Sequence, residues 1–395
     1  MSNPEIAARD LIERISEEVC PDATRKRTQK SIQLVLESFA PDHVLTELLQ
    51  NADDVEAKNA IIMLTDKGII FKHDGYEFDE PHLRALCDIG ETTKKPGVHI
   101  GFMGIGFKAA FKISDTPYVF SGAYRFFFTR EEVIVPHWLE EIPQEIRTYV
   151  ERGFTTFFLP FRQDLTSEII ESLKETMLTR LEPLCLVFLK NIKKIVIMSN
   201  AGERILIKKK EADSGALVSK EKVYVTEKRE GKERTYNYLV FNKMLEIPEY
   251  AKNDYRARES RRADLKTTVV TLAFSLKDGL IEPVESVLYT FLPTPFKTGL
   301  RFSVNCDFLL NTQRTEIDFV SRWNLWLLES ISAALNEIVY EVIRDEKQKL
   351  CIYDVLPRRR WVSERLFAKI AAPLIDHMKD SPLILTARAC SCEDG

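Results

Sequence analysis

No apolar run in the 395 residues approaches the roughly 20 that a membrane-spanning helix needs. The opening Met1-Ser-Asn-Pro-Glu5 carries neither the basic nor the apolar region of a secretory signal, so a cytoplasmic protein is the default expectation. An excess of one charge is also missing. Lys and Arg number 56 against 60 Asp and Glu, a net charge of −4, which argues against nucleic-acid binding by the whole surface and leaves only a local basic patch open. Paired metal ligands are scarce. The seven cysteines, Cys20, Cys87, Cys185, Cys306, Cys351, Cys390 and Cys392, are scattered except for the last two, and no second cysteine or histidine pair stands at ligand spacing. A zinc site is therefore not expected, and free, mostly buried thiols are. No internal repeat is visible. What remains, 45% hydrophobic and 29% charged, is an ordinary globular composition, long enough for two or three domains.

Periodicity sorts the chain into elements. Residues 1 to 60 read as helical, with Ile6, Leu11, Ile12 and Ile15, then Ile32, Val35 and Leu36, near helical spacing. Pro41-Asp42 opens a further helix with Val44, Leu45, Leu48 and Leu49 on its apolar side. Ala60–Leu64 and Gly68–Phe71 predict a hairpin, and Asp79–Leu86 a capped helix with proline in its first turn. Residues 88 to 100 are aperiodic and expected to be a mobile loop. Phe107–Ile113 is a helix candidate. Strands are expected at Tyr118–Phe120, Tyr124–Phe128, Val133–Val135, Thr155–Leu159 and Ile192–Ile197, with a helix over Leu165–Leu184. A second set of strands follows, at Arg204–Ile207, Val223–Val225, Arg234–Phe241, Thr267–Phe274 and Phe302–Phe308. The charged stretches Lys208–Lys220 and Glu227–Glu233 read as solvated turns between them. Leu309–Glu316 is a polar loop and Trp323–Ile343 a long amphipathic helix. After Pro357 a helix is expected to about Met378, and a short strand at Leu383–Leu385. The ending at Cys-Ser-Cys-Glu-Asp-Gly395 suggests the front portion of a longer protein.

Two stretches carry chemistry. Glu47-Leu-Leu-Gln-Asn51-Ala-Asp53-Asp54 places a carboxylate and a carboxamide four residues apart, on one helical face. That pair suits a water-activating base beside a magnesium ligand, although an isolated pair of this kind is more often only a polar face. Gly101-Phe-Met-Gly104-Ile-Gly106-Phe-Lys108 is a glycine-rich turn whose free N–H groups can hold phosphate. It is not a Walker A loop, because the Gly-Lys-Ser/Thr ending is absent. It is not the dinucleotide fingerprint either, because a loop precedes it and the glycine order is reversed. Between them, His73-Asp74-Gly75 ends a strand, where a polar side chain can meet the exocyclic amine of adenine and a glycine lets backbone approach the base. A plain Asp-Gly turn is an equal alternative. Thr92-Thr93-Lys94 follows, and Lys94 can reach phosphate oxygens or simply be a solvated lysine.

Four pieces in order, His43–Asp54, Phe71–Phe78, Ile89–Lys94 and Ile100–Lys108, resemble the Bergerat-fold or GHKL ATPases, and within them the sacsin and NO VEIN branch related to heat-shock protein 90 chaperones. Thr155–Pro160 resembles the strand whose threonine closes the adenine pocket. Phe291–Thr294, Gly299–Phe308, Arg314 and Trp323-Asn324 resemble that branch's second domain. The resemblance implies an α+β fold: a two-layer α/β sandwich of Bergerat type over residues 1–200, with 1–40 an N-terminal helical segment, then an α/β transducer-like domain of the ribosomal S5 domain 2 type over 201–345. Residues 346–395 would be a helical tail opening a further domain. It implies that Glu47 orients or deprotonates the attacking water and that Asn51 binds magnesium. Gly101, Gly104 and Gly106 would hold phosphates and Lys94 would sit in the ATP lid, with Asp54, Thr93, Phe102, Ile105, Phe107 and Thr155 completing the ATP site. Arg314 would reach the γ-phosphate. Where many relatives carry Asp-x-Gly, this chain has His73 in the aspartate's register with Asp74 beside it, and the sequence leaves open which of them meets adenine. The glycine usual before Thr155 stands at Gly153.

The expected activity is magnesium-dependent binding and slow hydrolysis of ATP. It would drive lid closure and association of two protomers, in a chaperone-like role or within a larger nucleic-acid or defence machine. The expected partners are ATP, a second copy of the chain when ATP is bound, and a protein or nucleic acid through a downstream region, with no membrane. A nucleotide-gated scaffold with little hydrolysis is the alternative. A histidine-kinase-like protein fits less well, because no histidine lies on a convincing dimerisation helix and a second domain is present.

Overall fold

The computed structural model of the chain describes residues 4–18, 43–87, 106–213, 219–259, 262–311, 316–359, 362–363 and 366–379. The chain divides into two compact units, Met1–Lys209 with Val225–Thr235, and Lys210–Tyr224 with Tyr236–Gly395.

The first unit is a mixed sheet carrying helices. Helix α1 (Pro4–Glu18) buries Ala8, Leu11, Ile12 and Ile15, and α2 (His43–Asp54) buries Val44, Leu45, Leu48, Leu49 and Ala52, so each has one continuous apolar face. Strand β1 (Asn59–Leu64) alternates, with Ala60, Ile62 and Leu64 turned inward. Its hairpin partner β2 (Gly68–His73) is buried throughout. Thr65 Oγ1 ties the turn by accepting from Gly68 N at 3.1 Å and donating to Gly68 O at 2.7 Å. The buried Lys72 on β2 is paired with Glu151 at 2.7 Å, with its ammonium over the Phe154 ring. Helix α3 (Glu80–Cys87) starts at Asp79, whose Oδ1 accepts from His82 N at 3.0 Å.

Strands β3 (Tyr118–Ser121), β4 (Tyr124–Phe127), β5 (His137–Trp138), β6 (Thr155–Pro160), β7 (Lys194–Ser199) and β8 (Gly202–Asp213) complete the sheet, in the order β8-β7-β1-β2-β6-β3-β4-β5. Only β1 and β7 run parallel; the crossover between them contains helix α4 (Ser167–Arg180), whose N-cap Thr166 accepts from Ile169 N at 3.4 Å. The helix expected at Phe107–Ile113 is present as a 3₁₀ helix, Gly106–Lys112. One expectation changes. Val133–Val135 is a buried turn rather than a strand: Val135 N closes onto Glu132 O, and the two strand residues come later, at His137–Trp138. An apolar triplet satisfies a buried turn as well as a strand, and periodicity cannot separate them.

Strands β9 (Ser219–Arg229) and β10 (Lys232–Glu246) follow; in the second unit β10 pairs with β11 (Thr267–Lys277) over ten residues, from Asn237↔Leu276 to Glu246↔Thr267, and β11 pairs with β12 (Leu280–Glu282). The sheet order there is β14-β13-β15-β11-β10, with β13 (Val287–Thr290), β14 (Leu292–Lys297) and β15 (Ser303–Asn305). Helix α5 (Arg322–Ile343) is capped by Ser321 and lays Trp323, Leu327, Ile331, Leu335, Ile338 and Val342 into one core with Phe241, Phe274 and Phe302. Leu366, Ile370, Leu374 and Met378 join that same core. The strands outrun their apolar segments. Of the charged stretch Glu227–Glu233, Glu230-Gly231 form the expected turn and the flanking residues lie in the strands, where Lys228 pairs with Glu233 at 3.0 Å in the first unit; Lys210 pairs with Glu221 at 3.2 Å in the second. The expected strand Leu383–Leu385 and the segment 19–42 lie outside the described residues.

Candidate functional site

The polar side of α2 holds Glu47 and Asn51 one turn apart. Glu47 is buried at 7% exposure and Asn51 is half-buried, although the apolar side of the same helix already supplies its core contacts. Asp54 is buried as well. Helix α2 packs directly against the turn Gly106–Lys112 that follows the glycine run. Asp53, beside Asp54, does different work. Its carboxylate accepts from Asn191 N at 2.7 Å and from Lys190 N and Ile192 N at 2.8 Å, fastening the end of α2 to the entry of β7. Burial pushes its carboxyl above the usual range, against the pull of those three donors.

The turn continues into the sheet. Phe107 lies 5.7 Å from Phe157 on β6, and Phe157 lies 6.2 Å from the His73 ring. In the β2–β6 ladder His73 stands directly opposite Thr155, and Phe71 opposite Phe157, so these four side chains share one face of the sheet. The two candidate adenine residues, 82 positions apart in the sequence, are thus cross-strand neighbours. Thr155 Oγ1 is bonded to Ser121 Oγ at 2.6 Å, and Ser121 Oγ also accepts from Phe78 N at 2.9 Å.

The His73-Asp74-Gly75 turn is resolved into separate roles. Asp74 Oδ1 accepts from Lys58 N at 2.8 Å and Asn59 N at 2.7 Å, while Oδ2 accepts from Asn59 Nδ2 at 2.5 Å. Burial pushes the Asp74 carboxyl up, but these hydrogen bonds outweigh it and hold the group below its ordinary value. His73 is 1% exposed, and burial lowers its pKa to about 4, so the ring is neutral at physiological pH. Its Nδ1 accepts from Gly75 N at 3.2 Å. At Gly75 a Cβ would stand 2.6 Å from Val55 O and 2.7 Å from Val55 Cγ2, so glycine is required here by the backbone just beyond α2.

Lys108 ends the glycine-rich motif. It is fully buried, donates to Leu86 O and Val133 O at 2.5 Å each, and lies 4.5 Å over the Phe128 ring. Its sequence signal was a lysine inside the apolar run Ile105–Phe111. Thr93, Lys94, Gly101, Phe102, Gly104, Ile105 and Arg314 lie outside the described residues. Among the described residues, no three His, Cys, Asp or Glu side chains converge on a metal-sized site, and no helix is long and apolar enough to cross a membrane.

The described elements form an α+β chain in which a polar helix face abuts the turn after a glycine run. In an alignment of 312 positions that covers 72% of the chain, it is 30% identical to Protein NO VEIN of Arabidopsis thaliana. The chain spans only 11% of that relative's length. The branch named from the motifs is therefore one in which a curated sequence relative lies. Among solved structures, the B-subunit of the DNA gyrase from Myxococcus xanthus is similar at 10% identity and a TM-score of 0.41, covering 80% of this chain and 93% of that one. The 43K ATPase domain of Thermus thermophilus gyrase B, in complex with an aminocoumarin, is similar at 16% identity and a TM-score of 0.27, covering 86% of this chain and 91% of that one. No family model matches.

Proposed function

We propose that the first unit binds a magnesium nucleotide, with ATP as the expected ligand, and hydrolyses it slowly. The observation that carries this is the packing of the Glu47–Asn51 helix on the turn Gly106–Lys112, beside a sheet face that ends in His73 and Thr155. Glu47 accepts the proton of an attacking water, and its burial raises the strength of that contact. Asn51 would hold magnesium through its carboxamide oxygen, a ligand type that suits this hard cation. When bound, magnesium neutralises charge on the phosphates. The backbone N–H groups of Gly101, Gly104 and Gly106, together with Lys94, hold phosphate oxygens.

Binding favours a closed lid and an associated pair of protomers to the extent that the nucleotide binds that state more tightly. The domain limits 1–200, 201–345 and 346–395, a chaperone-like role and a cytoplasmic location belong to the same proposal.

Titration calorimetry of the chain with MgATP, read beside phosphate release, tests it. Saturable heat and slow release support it; no heat and no thermal shift overturn it. In Glu47→Ala we expect binding to persist and turnover to fall by about 10²–10⁴-fold. Unchanged hydrolysis would remove Glu47 from this role. Binding without any turnover in the native chain would favour the nucleotide-gated scaffold.

A further inference from the structure

His73 stands in the register of the aspartate that many relatives carry, and its surroundings make it a hydrogen-bond donor. Gly75 N–H points at Nδ1 from 3.2 Å, so Nδ1 is the unprotonated nitrogen of the ring. The ring is neutral because it is buried, and its single hydrogen therefore sits on Nε2. Asp74, the carboxylate of the same turn, already accepts three hydrogen bonds from Lys58 and Asn59. The cross-strand neighbour adds to this bias. Thr155 and Ser121 have two hydroxyl hydrogens for one mutual hydrogen bond at 2.6 Å, which leaves one hydrogen to donate elsewhere.

We propose that His73, through Nε2–H, reads the six-position of a purine as a hydrogen-bond donor, so that the site takes 6-oxopurine nucleoside triphosphates at least as well as ATP. This rests on the nucleotide reading of the site. A carbonyl at C6 accepts from Nε2–H, whereas an amine there turns hydrogen toward hydrogen and can be accommodated only by a shift to the ring N1. A buried polar group left facing the wrong partner costs discrimination of the kind that separates substrates by tenfold or more.

The test is competition binding to the whole chain with the magnesium complexes of ATP, ITP, purine riboside triphosphate and CTP. Purine riboside triphosphate has no group at C6, and CTP controls for binding through phosphates alone. We expect ITP to bind as tightly as ATP or tighter. His73→Asp, which exchanges the donor for an acceptor, should move the ATP-to-ITP ratio about tenfold toward ATP. A native chain that prefers ATP over ITP by more than tenfold overturns the donor assignment and leaves the nucleotide site standing. Equal binding of CTP and the purines also overturns it, since no base is then read. Failure of every triphosphate to bind removes the nucleotide reading and this proposal with it. The comparison on the native chain decides the matter even if His73→Asp does not fold.

Discussion

At the scale of single residues, the turn His73-Asp74-Gly75 shows how three adjacent side chains divide their labour. Asp74 is consumed by the loop before β1, Gly75 by the close passage of Val55, and only His73 remains on the face shared with Thr155. Its burial has a measurable consequence. The ordinary histidine value is 6.5 and the folded value about 4. Between them the unfolded chain binds a proton that the folded chain does not. This group's contribution to stability is therefore complete above pH 6.5 and is lost as the pH falls toward 4, by about 1.4 kcal/mol per pH unit at most. Urea unfolding at stepped pH should show that slope in the native chain and a shallower one in His73→Gln. Equal slopes would mean that another group titrates there.

At the scale of elements, Lys108 joins three separate pieces: the last turn of α3 through Leu86 O, the buried turn at Val133, and its own 3₁₀ turn. A lysine within an apolar run reads as a misfit in one dimension. In three dimensions its ammonium donates to two main-chain carbonyls, Leu86 O and Val133 O. Lys108→Met keeps the volume but leaves those carbonyls without their cation. We expect a loss of about 2–4 kcal/mol, since each unsatisfied buried group costs roughly 1–3 kcal/mol. Hydrogen exchange should quicken first in Glu80–Cys87. Exchange that quickens uniformly across the unit, or not at all, would remove Lys108 as the local brace. The helix α2, by contrast, was legible from its sequence, because a 3.6-residue period and a polar pair four apart specify both its faces.

At the scale of the whole molecule, each unit buries charged side chains that partners hold, Lys72 with Glu151 in the first and Arg262 with Asp307 in the second. The second unit buries Arg262 against Asp307 at 2.6 Å, and Asp307 O accepts from Trp323 Nε1 at 2.8 Å, beside Asn324, which holds both Leu309 N and Leu309 O. Removing one partner of a buried pair strands the other. Arg262→Leu alone should therefore cost about 3–5 kcal/mol, and Arg262→Leu with Asp307→Leu distinctly less. Denaturant unfolding of both variants checks it; a double variant as unstable as the single would show that the pair contributes net stability rather than only mutual compensation.

The sequence by itself determined the helices α2 and α5, the β1–β2 hairpin and the order of the motif pieces. These depend on local period, capping and turn chemistry, all of which act over a few neighbouring residues. The tertiary structure alone decided that His73 faces Thr155, that Asp74 is spent on Asn59, that Lys108 lies inside, and that Val133–Val135 turns rather than extends. Each of these outcomes depends on which distant backbone groups arrive beside a side chain. Sheet register and burial fix that, and local sequence period carries no record of it.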